Sequence, residues 1–314
     1  MNILVTGGCG YVGSVLVPKL LDRGHNVTVY DIMWFGNFLK EHKNLKIIQG
    51  DIRNVNAIPM EGIDAIIHLA NIANDPCGDL NAKLSWEVNV LATMGMVEKA
   101  IINNVKQFIL SSSGSVYGVK AEEQVTEELS LVPISDYNKT KMISERVLLS
   151  YKDKIIVQIV RPATICGYSP RMRLDLSVNM LTMQALVNGR ITVFGGDQIR
   201  PNIHIEDITD VFIHFLNQGG KATGIYNAGF ENISISNIAR MAAELISAEI
   251  IVTESNDPRS YRLNANKLLA TGFKPRFKVI NAIQEIITAY RLSKLKDEDG
   301  CYNVRTMKRM EWLE

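Results

Sequence analysis

Tyr137 and Lys141, four residues apart in "SDYNKTKMISERVL" (135–148), are the first residues whose types and spacing suggest chemistry. On a helix that spacing places both side chains on one face. A free tyrosine phenol has a pKa of about 10, too high for a base at neutral pH, and an ammonium one turn away stabilises the phenolate. Such a pair is suited to taking a proton from a substrate hydroxyl. Upstream, "FILSSSGSVYG" (108–118) ends an apolar run in a cluster of serines. A serine at a strand end can hold the same substrate oxygen. Tyr-x-x-x-Lys arises by chance in many chains, so this reading needs a cofactor site in the same fold.

"VTGGCGYVGS" (5–14) supplies one, with glycines at 7, 10 and 13 directly after an apolar run and opening a helical pattern. In that context Gly7 permits the tight turn, Gly10 lets a pyrophosphate approach the backbone, and Gly13 lets the helix pack closely. The helix start at Tyr11–Val12 then offers free N–H groups and a positive dipole end to phosphates. Asp31 closes the second apolar run, eighteen residues after Gly13. A carboxylate there accepts from an unphosphorylated ribose and repels a 2′-phosphate, which selects NAD over NADP; a turn cap is the plainer role for it. "GDIRN" (50–54) places Asp51 and Ile52 where adenine would lie, though as a bare turn it is equally ordinary.

These groups need a scaffold, and the order of elements provides it. Residues 2–6, 26–31, 45–51, 65–70, 107–112 and 155–163 read as strands without clean polar alternation, as expected for strands covered on both faces. Helical patterns at 11–24 and 85–104 lie between them. Strand alternating with helix predicts βαβ units and a Rossmann-like, doubly wound parallel sheet. After Ala163 the pattern turns irregular. The expected division is an NAD-binding domain over 1–164 with a return segment at about 203–228, and a smaller lobe from 165–202 and 229–314.

The 314 residues carry 34 Lys+Arg against 33 Asp+Glu, so no global field points to nucleic acid or a membrane surface. No apolar stretch approaches the roughly 20 residues that span a bilayer. The opening "MNILVTGG" lacks the pattern of a signal peptide. Cys9, Cys77, Cys166 and Cys301 lie far apart, which predicts neither a disulfide framework nor a metal site and fits a reducing cytoplasm.

With these motifs in place the chain resembles the extended short-chain dehydrogenase/reductases of the nucleotide-sugar epimerase/dehydratase family. The resemblance is carried by "TGGCGYVGS", "YDIMWFGN", "GDIRN", "IIHLAN", "SSSGSVYG", "YNKTK", "RPATICG", "GGDQIRPNIHIED" and "DPRSYRLNANKLLATGFKP". It implies NAD across the sheet and a nucleotide-diphosphate sugar held by the C-terminal lobe. By motif position Tyr137 is the base, Lys141 its partner on the nicotinamide ribose, and Ser113 the hydroxyl, with Ser115 also facing substrate. Leu69, Ala70 and Asn89 fall at cofactor positions, and Arg200, Asn179 and Arg259 at positions that grip the sugar diphosphate. The last transfer is indirect, because Glu254 stands where many relatives have arginine. A homodimer through the helices at 85–104 and 137–151 is the family's usual assembly. "SPRMRLD" (169–175) resembles a bacterial branch acting on surface-polysaccharide sugars, some of whose members oxidise GDP-heptoses at C4. Arg171 and Arg173 are there either extra anion contacts or exposed surface charges.

The resemblance also separates reactions. Dehydratases carry Asp-Glu after the active-site Ser/Thr, and 3,5-epimerases a cysteine at the second place; here those positions are Gly114 and Ser115. The expected chemistry is therefore hydride transfer at C4. Epimerisation through a 4-keto sugar is the first reading, and a 4-dehydrogenase or 4-ketoreductase the alternative. A 4,6-dehydratase and a non-catalytic cofactor-binding protein are less favoured.

Overall fold

The six apolar runs of the first half form strands β1 (Asn2–Thr6), β2 (Asn26–Asp31), β3 (Leu45–Gln49), β4 (Ala65–His68), β5 (Gln107–Ser111) and β6 (Ile156–Pro162) in a computed structural model. It describes residues 1–254 and 260–310. In the second half lie β7 (Thr164–Cys166), β8 (Arg190–Phe194), β9 (Ile199–His204), β10 (Gly224–Ala228), β11 (Glu231–Ser234) and β12 (Glu249–Thr253). Seven strands make one parallel sheet in the order β10-β6-β5-β4-β1-β2-β3. The chain thus winds outward from β1 on one side and from β4 on the other. The crevice at their carboxyl ends, where the winding reverses, is where such sheets bind ligands.

The crossover helices are α1 (Gly13–Asp22), α2 (Asp75–Gly78), α3 (Ala82–Trp86), α4 (Ala92–Ile102) and α5 (Asp136–Leu149). The helix expected over 85–104 is differently built: α3 and α4 are joined by one π-type turn, Glu87–Leu91. Two large apolar cores flank the sheet, one under α1 and the other under α4. Buried β4 has no exposed residue, which explains why its sequence shows no alternation.

The second half continues with α6 (Ser177–Asn188), α7 (Ile205–Gln218), α8 (Ile235–Ile246), α9 (Asn266–Leu269), α10 (Val279–Arg291) and α11 (Asn303–Met307). Helix α7 returns to the large sheet, where Gln107 and Gln158 donate from buried positions to Phe215 O. Helices α6, α8 and α10 share a third apolar core with β8. Beside it lie a three-stranded sheet, β11-β9-β7, and the parallel pair β12-β8. Among the described residues no helix is long and apolar enough to cross a membrane.

Candidate active site

The glycine turn is held by contacts that admit no larger residue. Gly7 has φ +72°, and a Cβ there would lie 2.5 Å from Ala70 N. At Gly13 a Cβ would come within 2.4 Å of Gly8 O, so the helix start packs on its own loop rather than directly on the sheet. The close approach to the sheet belongs instead to Gly8, whose Cβ would meet Val29 of β2 at 2.7 Å. Among the described residues, a Cβ at Gly10 would have only Gly7 O, at 3.2 Å, within 4 Å, so this face of the turn is open to the cleft. The cradle therefore fits a dinucleotide diphosphate, with the N–H groups at the head of α1 facing it.

Asp31 fills the capping role and also borders the cleft. Its Oδ2 accepts from Cys9 N (2.9 Å) and its Oδ1 from Met33 N (2.7 Å), which pins the glycine turn to the end of β2. It also lines the cleft, where its unused lone pairs suit a ribose hydroxyl. Burial pushes its pKa up, against the pull of those two N–H groups. Asp51 and Ile52 border the same cleft, but the Asp51 carboxylate is taken by Arg53 Nε (2.9 Å) and Nη2 (2.7 Å).

One continuous cavity runs from this turn to the catalytic residues. Gly7, Gly10, Tyr11, Val12, Gly13, Leu69 and Ala70 form one end, while Ser113, Ser115, Tyr137 and Arg200 line the other. Three expected residues stand behind the wall. Lys141 is buried, and its Nζ donates to Ser111 O at 2.6 Å. Asn89 holds the wall from behind: its Oδ1 accepts from Ile72 N (2.8 Å) and its Nδ2 donates to Ile72 O and Thr140 Oγ1. The π-type turn frees the Asn89 carbonyl, which accepts from Thr93 Oγ1 (2.7 Å) and Ser144 Oγ (2.6 Å), tying this helix to α5. Asn179, expected on the sugar diphosphate, is fully buried and spent on Gly167 N, Tyr11 Oη and Arg173 O. It positions the loop above the glycine turn instead. Arg259 lies outside the described residues.

Helix α5 is set by its cap. Ser135 Oγ accepts from Asn138 N and donates to Asp75 at the start of α2. Gly78 of α2 leaves room for Tyr137, whose Cβ would be 3.0 Å from a Cβ there. Behind the serines, Glu145 of α5 accepts from Ser112 Oγ (2.5 Å) and pairs in two places with buried Arg161 of β6, at 2.9 and 2.6 Å. Arg161 also donates to Tyr117 Oη at 2.7 Å. A fully satisfied ionic cluster of this kind locks the strand end to the helix. Ser113 Oγ then caps the turn at Ser115 N and lies 2.7 Å from Ser115 Oγ, itself bonded to Asn138.

The electrostatics differ from the simple Tyr–Lys expectation. Burial pushes the Tyr137 phenol up to about 12, while nearby Ser113, the charge of Arg173 and the Asn74 N–H pull it down. Burial pushes Lys141 down to about 7, with Glu145 pulling the other way. Arg173 and Arg171 both face the cavity, so the exposed-surface reading of "SPRMRLD" falls. Arg173 forms a two-point pair with Asp175 (2.9 and 3.0 Å), and Asn74 Nδ2 donates to Asp175 Oδ2 at 3.0 Å. Asp75, Asn138, Trp34, Phe35 and Asn303 also line the cavity and were not singled out from sequence.

Two histidines prove to be framework. His68 bridges Thr6 (2.6 Å) and Thr93 (3.0 Å), and burial lowers its pKa to about 3, which keeps it neutral. His204 Nδ1 accepts from Glu206 N at the head of α7. Cys166 is buried, outside the cavity wall.

The profile of the family described as NAD dependent epimerase/dehydratase matches residues 3–229. The chain belongs to that family. Its cofactor is accordingly NAD, as the glycine turn and Asp31 imply. The UDP-glucose 4-epimerase of Lactobacillus helveticus is 26% identical over 324 residues, covering 94% of this chain and 97% of that one. MoeE5, solved in complex with UDP-glucuronic acid and NAD, is 25% identical with a TM-score of 0.82, over 93% of this chain and all of MoeE5 (100%). The dTDP-glucose 4,6-dehydratase DesIV of Streptomyces venezuelae, 23% identical with a TM-score of 0.83, shares the fold over 93% of this chain and 97% of its own.

Proposed function

We propose that this protein inverts C4 of a nucleotide-diphosphate sugar by NAD-dependent oxidation and re-reduction. The observation carrying this reading is that Ser113 and Tyr137 line one cavity while the two residues following Ser113 are Gly114 and Ser115, neither of them an acid. A Cβ at Gly114 would crowd Pro162 O at 3.2 Å, and Ser115, on the cavity, has only a hydroxyl. When bound, NAD accepts a hydride from C4 and gives it back. The protein's part is the proton: Tyr137 Oη takes it from the C4 hydroxyl, while Ser113 Oγ holds that oxygen. Lys141 supports the strand end under the nicotinamide ribose through Ser111. Return of the hydride to the opposite face of C4, and of the proton to its oxygen, gives the epimer with no net redox change.

Arg200, at the far end of the cavity, is suited to a diphosphate by its planar fork of donors. A UDP-hexose is the first substrate to try, because the Lactobacillus relative is a UDP-glucose 4-epimerase and MoeE5 holds a UDP-sugar. The alternative, a 4-dehydrogenase or 4-ketoreductase, draws support from the two "SPRMRLD" arginines on the cavity. We further propose a cytoplasmic homodimer through the 87–102 helix and α5, since Leu91 (55% exposed) and Ile102 (78%) present apolar surface on the former. Light scattering tests the assembly.

The reaction is tested by incubating the protein and NAD with UDP-, GDP-, dTDP- and CDP-sugars, following nicotinamide absorbance and product NMR together. A C4-inverted sugar without accumulating NADH is the expected result. Stoichiometric NADH with a released 4-keto sugar would replace the epimerase by the dehydrogenase.

A further inference from the structure

Residues 167–175 cross the mouth of the glycine turn as a strap, and Tyr11 fastens it. Tyr11 Oη donates to Gly167 O (2.7 Å), Ser169 Oγ donates to Tyr11 O (2.8 Å), and Asn179 Nδ2 donates to Tyr11 Oη (3.1 Å). The strap is also joined to the C-terminal segment, where Leu174 N donates to Cys301 O at 2.8 Å. Arg171 hangs from it into the cavity, yet is only 3% exposed. Its guanidinium lies 4.0 Å over the Phe35 ring, and its Nη2 donates to Asn303 Oδ1 at 2.5 Å. Its Nε is buried without a partner, and among the described residues no carboxylate is within ion-pair distance of it. A buried guanidinium with an unused donor is costly until an anion completes it.

We propose that Arg171 is the second grip on the cofactor diphosphate, closing on it from the strap side while the N–H groups of the glycine turn hold the opposite side. Position selects this anion over the others. Arg171 is within electrostatic reach of Asp31, at the ribose end, and of Arg173 and Asp175, at the reacting end. The cofactor diphosphate is the anionic part of NAD that lies between those ends. A 2′-phosphate is disfavoured by Asp31, and the sugar diphosphate has Arg200 further along the cavity. The like charge of Arg173, after burial, lowers the Arg171 pKa to about 10, a cost that an incoming anion relieves. Phe35 and Asn303 hold the fork in place, so the grip is set before the cofactor arrives.

The test is calorimetric titration of NAD, ADP and adenosine into the wild type, Arg171→Met, Arg171→Lys and Asn303→Ala. Loss of a charge-assisted contact of this kind is worth about tenfold or more in affinity. NAD and ADP should both weaken by that factor in Arg171→Met, while adenosine, which lacks the diphosphate, binds as before. Arg171→Lys and Asn303→Ala should fall between and keep the proposal testable if the methionine variant does not fold. Equal loss of adenosine and ADP would reduce Arg171 to a packing residue and overturn the proposal. So would unchanged ADP binding with a raised KM for nucleotide sugar, which would assign the arginine to the substrate. Because binding is read without turnover, failure here leaves the C4 reaction standing.

Discussion

The ammonium of Lys141 donates to the main-chain carbonyl of Ser111 across 2.6 Å, so the lysine braces the end of the strand that leads into Ser113. Its buried position lowers its pKa to about 7, against roughly 10.4 in an unfolded chain. Below about pH 7 both states hold the proton and no slope results. Between there and about pH 10 the unfolded state binds more protons, so stability rises with pH. Denaturant titrations from pH 7 to 10 should show this rise in the wild type and a flatter profile in Lys141→Met. Parallel profiles would mean that the lysine is not desolvated.

Tyr137→Phe removes the proton acceptor and leaves the phenyl ring packed by Gly78. Turnover should fall on the order of a hundred- to ten-thousand-fold. NAD affinity should be unchanged, because the glycine turn is untouched. Near-normal turnover in this variant would remove the tyrosine from the reaction.

The charge of Arg173 acts on the Tyr137 phenol. Arg173→Gln takes that charge away, which raises the phenol's pKa. The acid limb of the kcat–pH profile should therefore move to higher pH. A fall in kcat with the midpoint unmoved would mean that Arg173 acts through Asp175 and the loop geometry alone.

Arg161 and Glu145 form a buried pair between β6 and α5. Arg161→Met strands the carboxylate and should cost about 3–5 kcal/mol of stability. Replacing both, as Arg161→Met with Glu145→Leu, should recover most of the loss, since neither charge is then uncompensated. Urea midpoints of the two singles and the double give the coupling energy.

Gly13→Ala would put a Cβ within 2.4 Å of Gly8 O. The turn must open to accept it, so NAD binding should be lost at a stability cost of about 1–3 kcal/mol. Retained cofactor affinity would show that the turn can relax without consequence.

What the sequence discloses here is what local pattern encodes. The strands are legible because each is a short apolar run, and the glycine turn because its conformation is demanded within seven residues. Direction and depth are less legible. Lys141 and Asn89 sit within reach of the cleft but behind its wall, which follows from helix rotation and from the π-type turn. Asn179 is polar and central, yet its partners Tyr11 and Gly167 are distant in sequence. Arg171 meets Phe35 and Asn303 only when three separated segments close together. No window of sequence contains that arrangement. Gly8, hidden inside the motif as an x position, shows that spacing can flag a loop without saying which glycine bears which contact.

The order of synthesis adds a constraint to cofactor loading. The glycine turn and Asp31 leave the ribosome before the strap with Arg171. Cys301 and Asn303, which anchor the strap and its arginine, emerge some 130 residues after Arg171. A nascent chain can thus offer one half of the cradle long before it can offer the other. On the proposed role of Arg171, the dinucleotide is gripped from both sides only once the segment at 301–303 has joined the fold.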